Sequence, residues 1–420
     1  MLLVTANWGL SDGTLASVPA SRLVSRLRTE VRRAVLRSGF GQDGRYRPVD
    51  AVDLVFAGDT FDWLVSRSWT GDVRPWQAGP RAAAARREVA AGALHRGGRL
   101  LATLAAWGRR GIEVPLADPL GRPRPHTRRP VTVRVTLLSG DRDRWLDRLD
   151  AAPAAAAVGR SWSDGGCLVQ HGESLDPLYA RDCGEDGGEP TLGESIAVDL
   201  VARFGGVVDG TGLPRPAAAT LLRRIAAGHP LDAGRRLGRW LEPAGGGPPV
   251  AAGIQRRVID TWRRSVAGWH RAARRLASAG AAGVDVAGRI AAWLDAMEAP
   301  PQPADVLPPD RPAADGMEVP PAETVILGHG AAADGAVTAA PVRRIVRVGS
   351  IGLSGRTGLG DDDEGPVIVG CRRGVPGRWG DVLPFVVCGT AGGDADGDAG
   401  PRGVWLSDAA GRSGRWIDAA

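Results

Sequence analysis

The feature that most constrains this chain is a set of short apolar segments that end in polar clusters. Residues 54–64, for example, read LVFAGDTFDWL. Continuous apolar strands are typical of sheets that are covered on both faces. Gly58 allows the chain to turn where the strand ends, and Asp59 follows at the carboxyl end, where open α/β sheets place their ligand sites. The pattern predicts an α/β fold with a cleft at the strand ends.

Four other apolar segments also lead into polar residues. Residues 2–6 form a strand at the start of the chain, and residues 131–141 end in a second Gly-Asp pair at Asp141. Two later segments, GCLVQHG and TVILGHG, end at His171 and His329. The sequence therefore predicts five strands that bring polar residues to their carboxyl ends.

Apolar residues at helical spacing fill much of the remaining chain. They predict a helix over residues 20–37 and helical structure over residues 82–109, with a break near Gly97 and Gly98. Residues 195–298 are almost entirely helical in pattern. Aromatic side chains at apolar helix positions are usually core residues. We therefore expect packing roles for four tryptophans of this block: Trp240, Trp262, Trp269 and Trp293.

The last third of the chain changes character. Residues 300–321 are too rich in proline for a helix or a central strand and are predicted to be a linker. Short β-like runs separated by Gly and Asp follow residue 341. The acidic run DDDE at residues 361–364 is expected to be solvated rather than to bind a metal.

Composition permits a polyanionic partner without indicating one. The chain has 53 basic residues, all of them Arg, and a formal net charge of +6. These arginines are scattered rather than clustered, so nucleic-acid binding is allowed but not favoured. The start of the chain lacks the pattern of a signal peptide, and no apolar stretch approaches the ~18 residues of a membrane helix. The four cysteines form no C-x-x-C pair. We therefore expect a cytoplasmic protein without a membrane span.

Taken in order, the strand ends read AGDTFDW, LLSGDRDRWLD, LVQHGESLDP and LGHGAAADG. This succession resembles the calcineurin-like metallophosphoesterase family, whose motifs are D-x-H, G-D-x-x-D, G-N-H-D/E, a single His after a strand, and G-H-x-H. GDTFDW is similar to the GDxFDxW form of the subgroup that includes UDP-diacylglucosamine pyrophosphohydrolases. The resemblance implies an α/β fold, a sandwich of two mixed β-sheets flanked by helices. Residues 1–194 and 322–355 would form this core, with 195–299 as a helical insertion or cap and 356–420 as a C-terminal β-rich segment.

The resemblance also implies a metal site. Members of the family hold two divalent metals about 4 Å apart, which supply positive charge and a hydroxide for phosphoester hydrolysis. Carried over to this sequence, the motifs place Asp59 as the bridging ligand and Asp141, His171 and His329 around one metal. This set of two nitrogen and two oxygen donors suits Mn, Fe or Zn.

The ligands of the other metal are largely missing. Ala6, Trp8 and Ala331 stand where the family has an Asp and two His residues. The sequence leaves two explanations open. Either Asn7 or Asp12 turns toward the empty site, or Trp8 fills the volume of the lost metal and its histidine.

The candidate catalytic residues also depart from the family. Arg142 stands at the position of the histidine that assists the leaving group. Arginine cannot act as a general acid, because its pKa is above about 12, but it can clamp a phosphate with two hydrogen bonds. Asp143 matches the acidic residue that orients this histidine and is expected to pair with Arg142.

Two functions follow as expectations. The first is metal-dependent hydrolysis of a phosphomonoester, phosphodiester or pyrophosphate, with a phosphorylated small molecule as substrate and a reduced one-metal site. The alternative is a catalytically inactive protein that keeps a phosphate-sized cleft for binding or scaffolding. His171 and His329 would then be ordinary buried histidines. The other four histidines lie outside any motif and are expected to be surface or packing residues: His95, His126, His229 and His270.

Overall fold

The protein is represented by a computed structural model. It describes residues 1–15, 20–41, 43–146, 156–173, 176, 178–179, 189–226, 229–242, 250–276, 281–297, 324–329, 344–347, 368–371, 385–387, 403–408 and 415–418. The predicted linker 300–321, the acidic run 361–364 and Ala331 lie outside these residues.

The strands of the described residues belong to three sheets. They are β1 (Leu2–Thr5), β2 (Leu10–Ser11), β3 (Ala51–Ala57), β4 (Phe61–Asp62), β5 (Ile112–Ala117), β6 (Pro123–Leu138), β7 (Ala156–Gly159), β8 (Ser161–Asp164), β9 (Cys167–Gln170), β10 (Thr324–Leu327), β11 (Arg344–Arg347), β12 (Ile368–Cys371), β13 (Phe385–Val387), β14 (Gly403–Asp408) and β15 (Arg415–Asp418).

The two large sheets are mixed. The first has the order β13-β12-β1-β3-β6-β5, with β7 also paired to β6, and its β1, β3, β6 and β7 run parallel. The second has the order β15-β14-β11-β10-β9-β8, with β9, β10 and β11 parallel. The short strands β2 and β4 pair with each other. The predicted α/β class is confirmed at the level of a mixed α/β fold.

Strands that the sequence predicted as covered on both faces are buried without alternation. All four residues of β1 are buried, as are six consecutive residues of β3, Val52–Ala57. β6 differs, because the half that pairs only with β5 is mostly exposed and the half beside β3 is mostly buried. The C-terminal strands join the sheets of the core: β12 pairs with β1, and β14 pairs with β11.

The α-helices of the described residues fall into two groups. They are α1 (Ala20–Ser38), α2 (Pro80–Arg96), α3 (Gly98–Arg110), α4 (Leu192–Ser195), α5 (Arg203–Val207), α6 (Arg215–Ala226), α7 (Ala233–Leu241), α8 (Ala252–Leu276) and α9 (Ala281–Ala296). A π-helical turn, Ile196–Ala202, joins α4 to α5. Helices α1 to α3 share a core with the first sheet, and the predicted break at Gly97 separates α2 from α3.

Helices α4 to α9, with the π-helical turn, form a block with its own hydrophobic core, called the helical block below. Trp240, Trp262 and Trp269 are fully buried there, which confirms their predicted packing role. The indole nitrogen of Trp262 donates to the carbonyl of Leu294, 2.9 Å away. Trp293 packs against the same core but is only partly buried. Among the described residues, no helix is both long enough and apolar enough to cross a bilayer.

Candidate metal centre

Four polar side chains meet where the two large sheets approach each other. Asp59 and Asp141 follow the neighbouring parallel strands β3 and β6, and His171 and His329 follow the neighbouring parallel strands β9 and β10. Parallel neighbours end at the same edge of a sheet, so each sheet brings two of these residues together. The sheets touch at this edge, because a methyl group on Gly328 would overlap the carbonyl oxygen of Ala57.

The donor atoms of these side chains face one another. His171 Nε2 lies 2.8 Å from Asp141 Oδ1 and 3.4 Å from Asp59 Oδ2. His329 Nδ1 lies 3.5 Å from the same Asp141 oxygen. Asp141, His171 and His329 are buried, and their ligand atoms all lie within 4.8 Å of one another. The structure thus brings together all four residues that the sequence predicted as metal ligands.

The outer ring nitrogens of both histidines have fixed partners. His171 Nδ1 lies 2.8 Å from the carbonyl oxygen of Ala57, and a carbonyl can only accept, so Nδ1 is the donor. His329 Nε2 lies 2.7 Å from Asp176 Oδ2. Histidines that bind metals usually donate the opposite N–H to a carbonyl or carboxylate in this way. The inner nitrogens, His171 Nε2 and His329 Nδ1, are thereby presented to the two aspartates.

The aspartates and imidazoles perturb each other strongly. Burial alone would raise the pKa of Asp141, but hydrogen bonds from His171 and His329 hold it well below its usual range. Burial alone would lower the pKa of His171, but Asp59 and Asp141 raise it well above its usual value. The other oxygen of Asp141, Oδ2, is buried and has no hydrogen-bond partner among the residues that the structure describes. A buried carboxylate oxygen of this kind is costly unless a cation or a proton satisfies it.

The backbone that carries Asp59 is unusual. Asp59 has φ +52° and Gly58 has φ +89°, both in the left-handed region. Gly58 is required on two grounds, because a methyl group there would also overlap the ring of His171. Strained non-glycine residues of this kind cluster at functional sites. The turn that the sequence predicted after β3 is therefore tight enough to bring Asp59 beside the His171 ring.

Arg142 and Asp143, the predicted catalytic residues, have different surroundings. The backbone N–H of Arg142 donates to Asp59 Oδ1 at 3.0 Å, and its guanidinium contacts Asp62 at 2.8 Å and lies 3.8 Å from Asp59 Oδ2. Asp143 accepts hydrogen bonds from the backbone N–H groups of Gly140 and Phe61. Asp62 thus occupies the ion-pairing position beside Arg142 that the sequence analysis gave to Asp143. Burial and the nearby Asp59 raise the pKa of Asp143 to about 8.

Asn7 and Asp12 both make hydrogen bonds elsewhere. Asn7 donates to the carbonyl of Gly328 at 2.9 Å, and Asp12 accepts from Ser66 at 2.5 Å. Trp8 packs against Phe56 in the core shared with the helices, where its indole nitrogen donates to Thr5. Trp8 is therefore a residue of the hydrophobic core.

Two residues that adjoin the centre were not predicted from the sequence. Asp176 lies between two imidazoles, with His329 Nε2 at 2.7 Å and His229 Nε2 at 2.9 Å from its Oδ2. These three form a second group whose ligand atoms lie within 4.8 Å of one another. Asp176 is the second-to-last residue of the quoted segment LVQHGESLDP, and its place in that segment was the one available signal. His229 comes from the helical block and was expected to be a surface or packing residue.

Comparisons with protein-family models, with curated proteins and with solved structures find no match to this chain.

Proposed function

We propose that this protein is a metal-dependent phosphoesterase, acting on a phosphomonoester, phosphodiester or pyrophosphate with one divalent metal. We further propose that its two large sheets form the sandwich of the calcineurin-like metallophosphoesterases. The observation that carries the proposal is the inward face of the centre, where two carboxylates and two imidazoles point their potential metal-ligand atoms at one another. A divalent cation at the middle of this cluster would replace the protons of the two imidazoles and neutralise the carboxylates.

The residues fit a divalent metal. Two donors that bind one ion at about 2.1 Å in tetrahedral geometry lie about 3.4 Å apart. The separations around His171 and His329 are 2.8, 3.4 and 3.5 Å. Oδ2 of Asp141, which has no partner within the described part of the chain, supplies a further acceptor. Two nitrogen and two oxygen donors suit Mn, Fe or Zn.

The chain also supplies a fixed positive charge beside this centre. A bound metal would polarise a phosphoryl oxygen and lower the pKa of water. The guanidinium of Arg142 lies 3.8 Å from Asp59 and is held in place by Asp62. An arginine in this position is suited to contact the oxygens of a phosphate group. Asp143 ties the backbone of Gly140 to that of Phe61, so its role is to position the two loops that carry the carboxylates.

One observation favours the alternative function, a binding or scaffold protein without catalysis. Ala6 and Trp8, at positions where the resemblance calls for ligands of a second metal, are buried, and Trp8 belongs to the core. With one metal, the clamp across the attacking and leaving oxygens is lost. Phosphate binding would then remain without rapid turnover.

Metal content and turnover, measured together, decide between these functions. Purified protein is titrated with Mn²⁺ by calorimetry, and hydrolysis of p-nitrophenyl phosphate and of bis-p-nitrophenyl phosphate is followed with Mn²⁺ present. We expect one bound Mn²⁺ and turnover, both lost in His171→Ala and both retained in His95→Ala, which changes a histidine on α2. Metal binding without turnover would favour the binding function. Absence of both from the wild-type protein would refute the metal site.

A further inference from the structure

His229, a residue of the helical block, reaches the candidate metal centre. This residue precedes a short 3-10 helix, Pro230–Asp232, whose Leu231 is buried in the core of the helical block. The position of His229 is therefore set by packing within that block. Its Nε2 lies 2.9 Å from Asp176 Oδ2, and its side chain is 7% exposed.

Asp176 joins His229 to the proposed metal ligand His329. Both imidazoles approach the same carboxylate oxygen through Nε2, at 2.9 and 2.7 Å. An ionised carboxylate can only accept, so each of these nitrogens carries the hydrogen. The other oxygen of Asp176 accepts from the backbone N–H of Leu178 at 2.9 Å, and Leu178 belongs to the core of the helical block. The side-chain partners of this carboxylate among the described residues are thus His229 of the helical block and the proposed ligand His329.

These contacts fix the orientation of the His329 imidazole. Its Nε2–H is directed to Asp176, and its Nδ1 faces Asp141. Tyr179 packs edge-on against both imidazoles, with ring centroids 5.3 Å from His329 and 6.5 Å from His229. Outer partners of this kind set both the orientation of a ligating imidazole and its affinity for metal.

We infer that His229 is a positioning residue for the metal site: from the helical block it holds Asp176, and Asp176 in turn holds His329 with Nδ1 toward the metal. This inference rests on the proposed function, because it needs His329 to bind a metal. It adds that the helical block and the metal site are coupled. If the packed helical block increases the affinity for metal, then by linkage the bound metal must stabilise the packed position of the helical block to the same extent.

Two substitutions that differ by one bond test the inference in the full-length protein. Measured from Cβ, the side-chain nitrogen of Gln is three bonds away, as is Nε2 of His, so His229→Gln keeps the donor within reach of Asp176. His229→Asn retracts the nitrogen by one bond and loses the contact. His270→Ala, which removes an imidazole from α8 of the same helical block, is the matched control. Mn²⁺ dissociation constants are measured by calorimetry, and hydrogen exchange of the helical block is followed with and without Mn²⁺.

We expect His229→Asn to weaken Mn²⁺ binding about 10-fold, the lower end for an outer partner of a ligand. His229→Gln should stay close to wild type, and His270→Ala should not change the affinity. Mn²⁺ should slow exchange in the helical block of the wild-type protein, and this protection should be smaller in His229→Asn.

Equal Mn²⁺ affinities in wild type, His229→Asn and His229→Gln would overturn the inference and leave the proposed function standing. A second Mn²⁺ that binds wild type and is lost in His229→Asn would also overturn it, because Asp176 and His229 would then be metal ligands themselves. Wild-type protein that binds no Mn²⁺ would instead refute the proposed function.

Discussion

Raising the pH from 6 to 8 should tighten Mn²⁺ binding steeply. Burial alone would lower the pKa of His329, but hydrogen bonds to Asp141 and Asp176 outweigh it and raise this pKa to about 9. Asp59 and Asp141 likewise raise the pKa of His171. Both inner nitrogens therefore hold protons in the metal-free protein at neutral pH. A metal must displace these protons in order to bind.

The size of the effect follows from the number of protons released. Each displaced proton changes the binding free energy by about 1.4 kcal/mol per pH unit, which is a factor of ten in affinity. Release from one histidine predicts about a 100-fold gain between pH 6 and pH 8, and release from both predicts about a 10,000-fold gain. The observed slope therefore counts the histidines that bind the metal.

Stability should change in opposite directions with and without metal. The raised pKa of His329 stabilises the metal-free protein. This contribution is fully present below pH 6.5, the ordinary pKa of histidine, and is lost as the pH rises through about 9. Metal-loaded protein should instead gain stability over the same range, because its affinity for metal rises. The difference in Tm between the two forms should widen from pH 6 to pH 8.

The assay is competition between the protein and a chelator of known pH dependence at pH 6, 7 and 8, with the Tm of both forms recorded in the same buffers. His95→Ala should retain the wild-type slope. An affinity that changes less than about threefold over these two pH units would refute the assignment of His171 and His329 as ligands.

Two further substitutions probe the same centre. Gly58→Ala should lower Mn²⁺ affinity more than about 10-fold, because the new methyl group would displace the ring of His171. Gly44→Ala is the control in calorimetry, because Gly44 also has a positive φ, +70°, but has open space around it. Unchanged Mn²⁺ affinity in both variants would refute the argument. Arg142→Gln should leave Asp62 as an unpaired buried charge and lower the free energy of unfolding, measured in urea, by about 3 kcal/mol. The Mn²⁺ affinity of this variant should stay the same or rise, because a competing cation is removed. Arg47→Gln, which breaks an exposed ion pair with Asp43, should leave the free energy of unfolding close to that of wild type. A loss of Mn²⁺ affinity in Arg142→Gln would contradict this account.

The inner residues of the centre could be predicted because their positions follow from local pattern. Asp59, Asp141, His171 and His329 each follow an apolar strand, and the ends of parallel neighbours meet at one edge. The break between α2 and α3 was predicted for a similar local reason, a Gly97-Gly98 pair within a helical pattern.

The outer residues could not be predicted in this way. His229 lies before a short 3-10 helix, and nothing in its neighbourhood indicates that the turn faces Asp176 rather than solvent. Its position results from the packing of the whole helical block. The pairing of the C-terminal strands is similar, because a four-residue strand such as β12 carries too little pattern to specify β1 as its neighbour.

The charges of the centre favour one divalent ion over two. Asp59 and Asp141 carry two negative charges, and with neutral imidazoles they balance one divalent cation. Asp62 is already balanced by Arg142, 2.8 Å away. An Asn at position 141 would remove one of the two negative charges that face a single bound metal, so Asp141 favours a buried one-metal site.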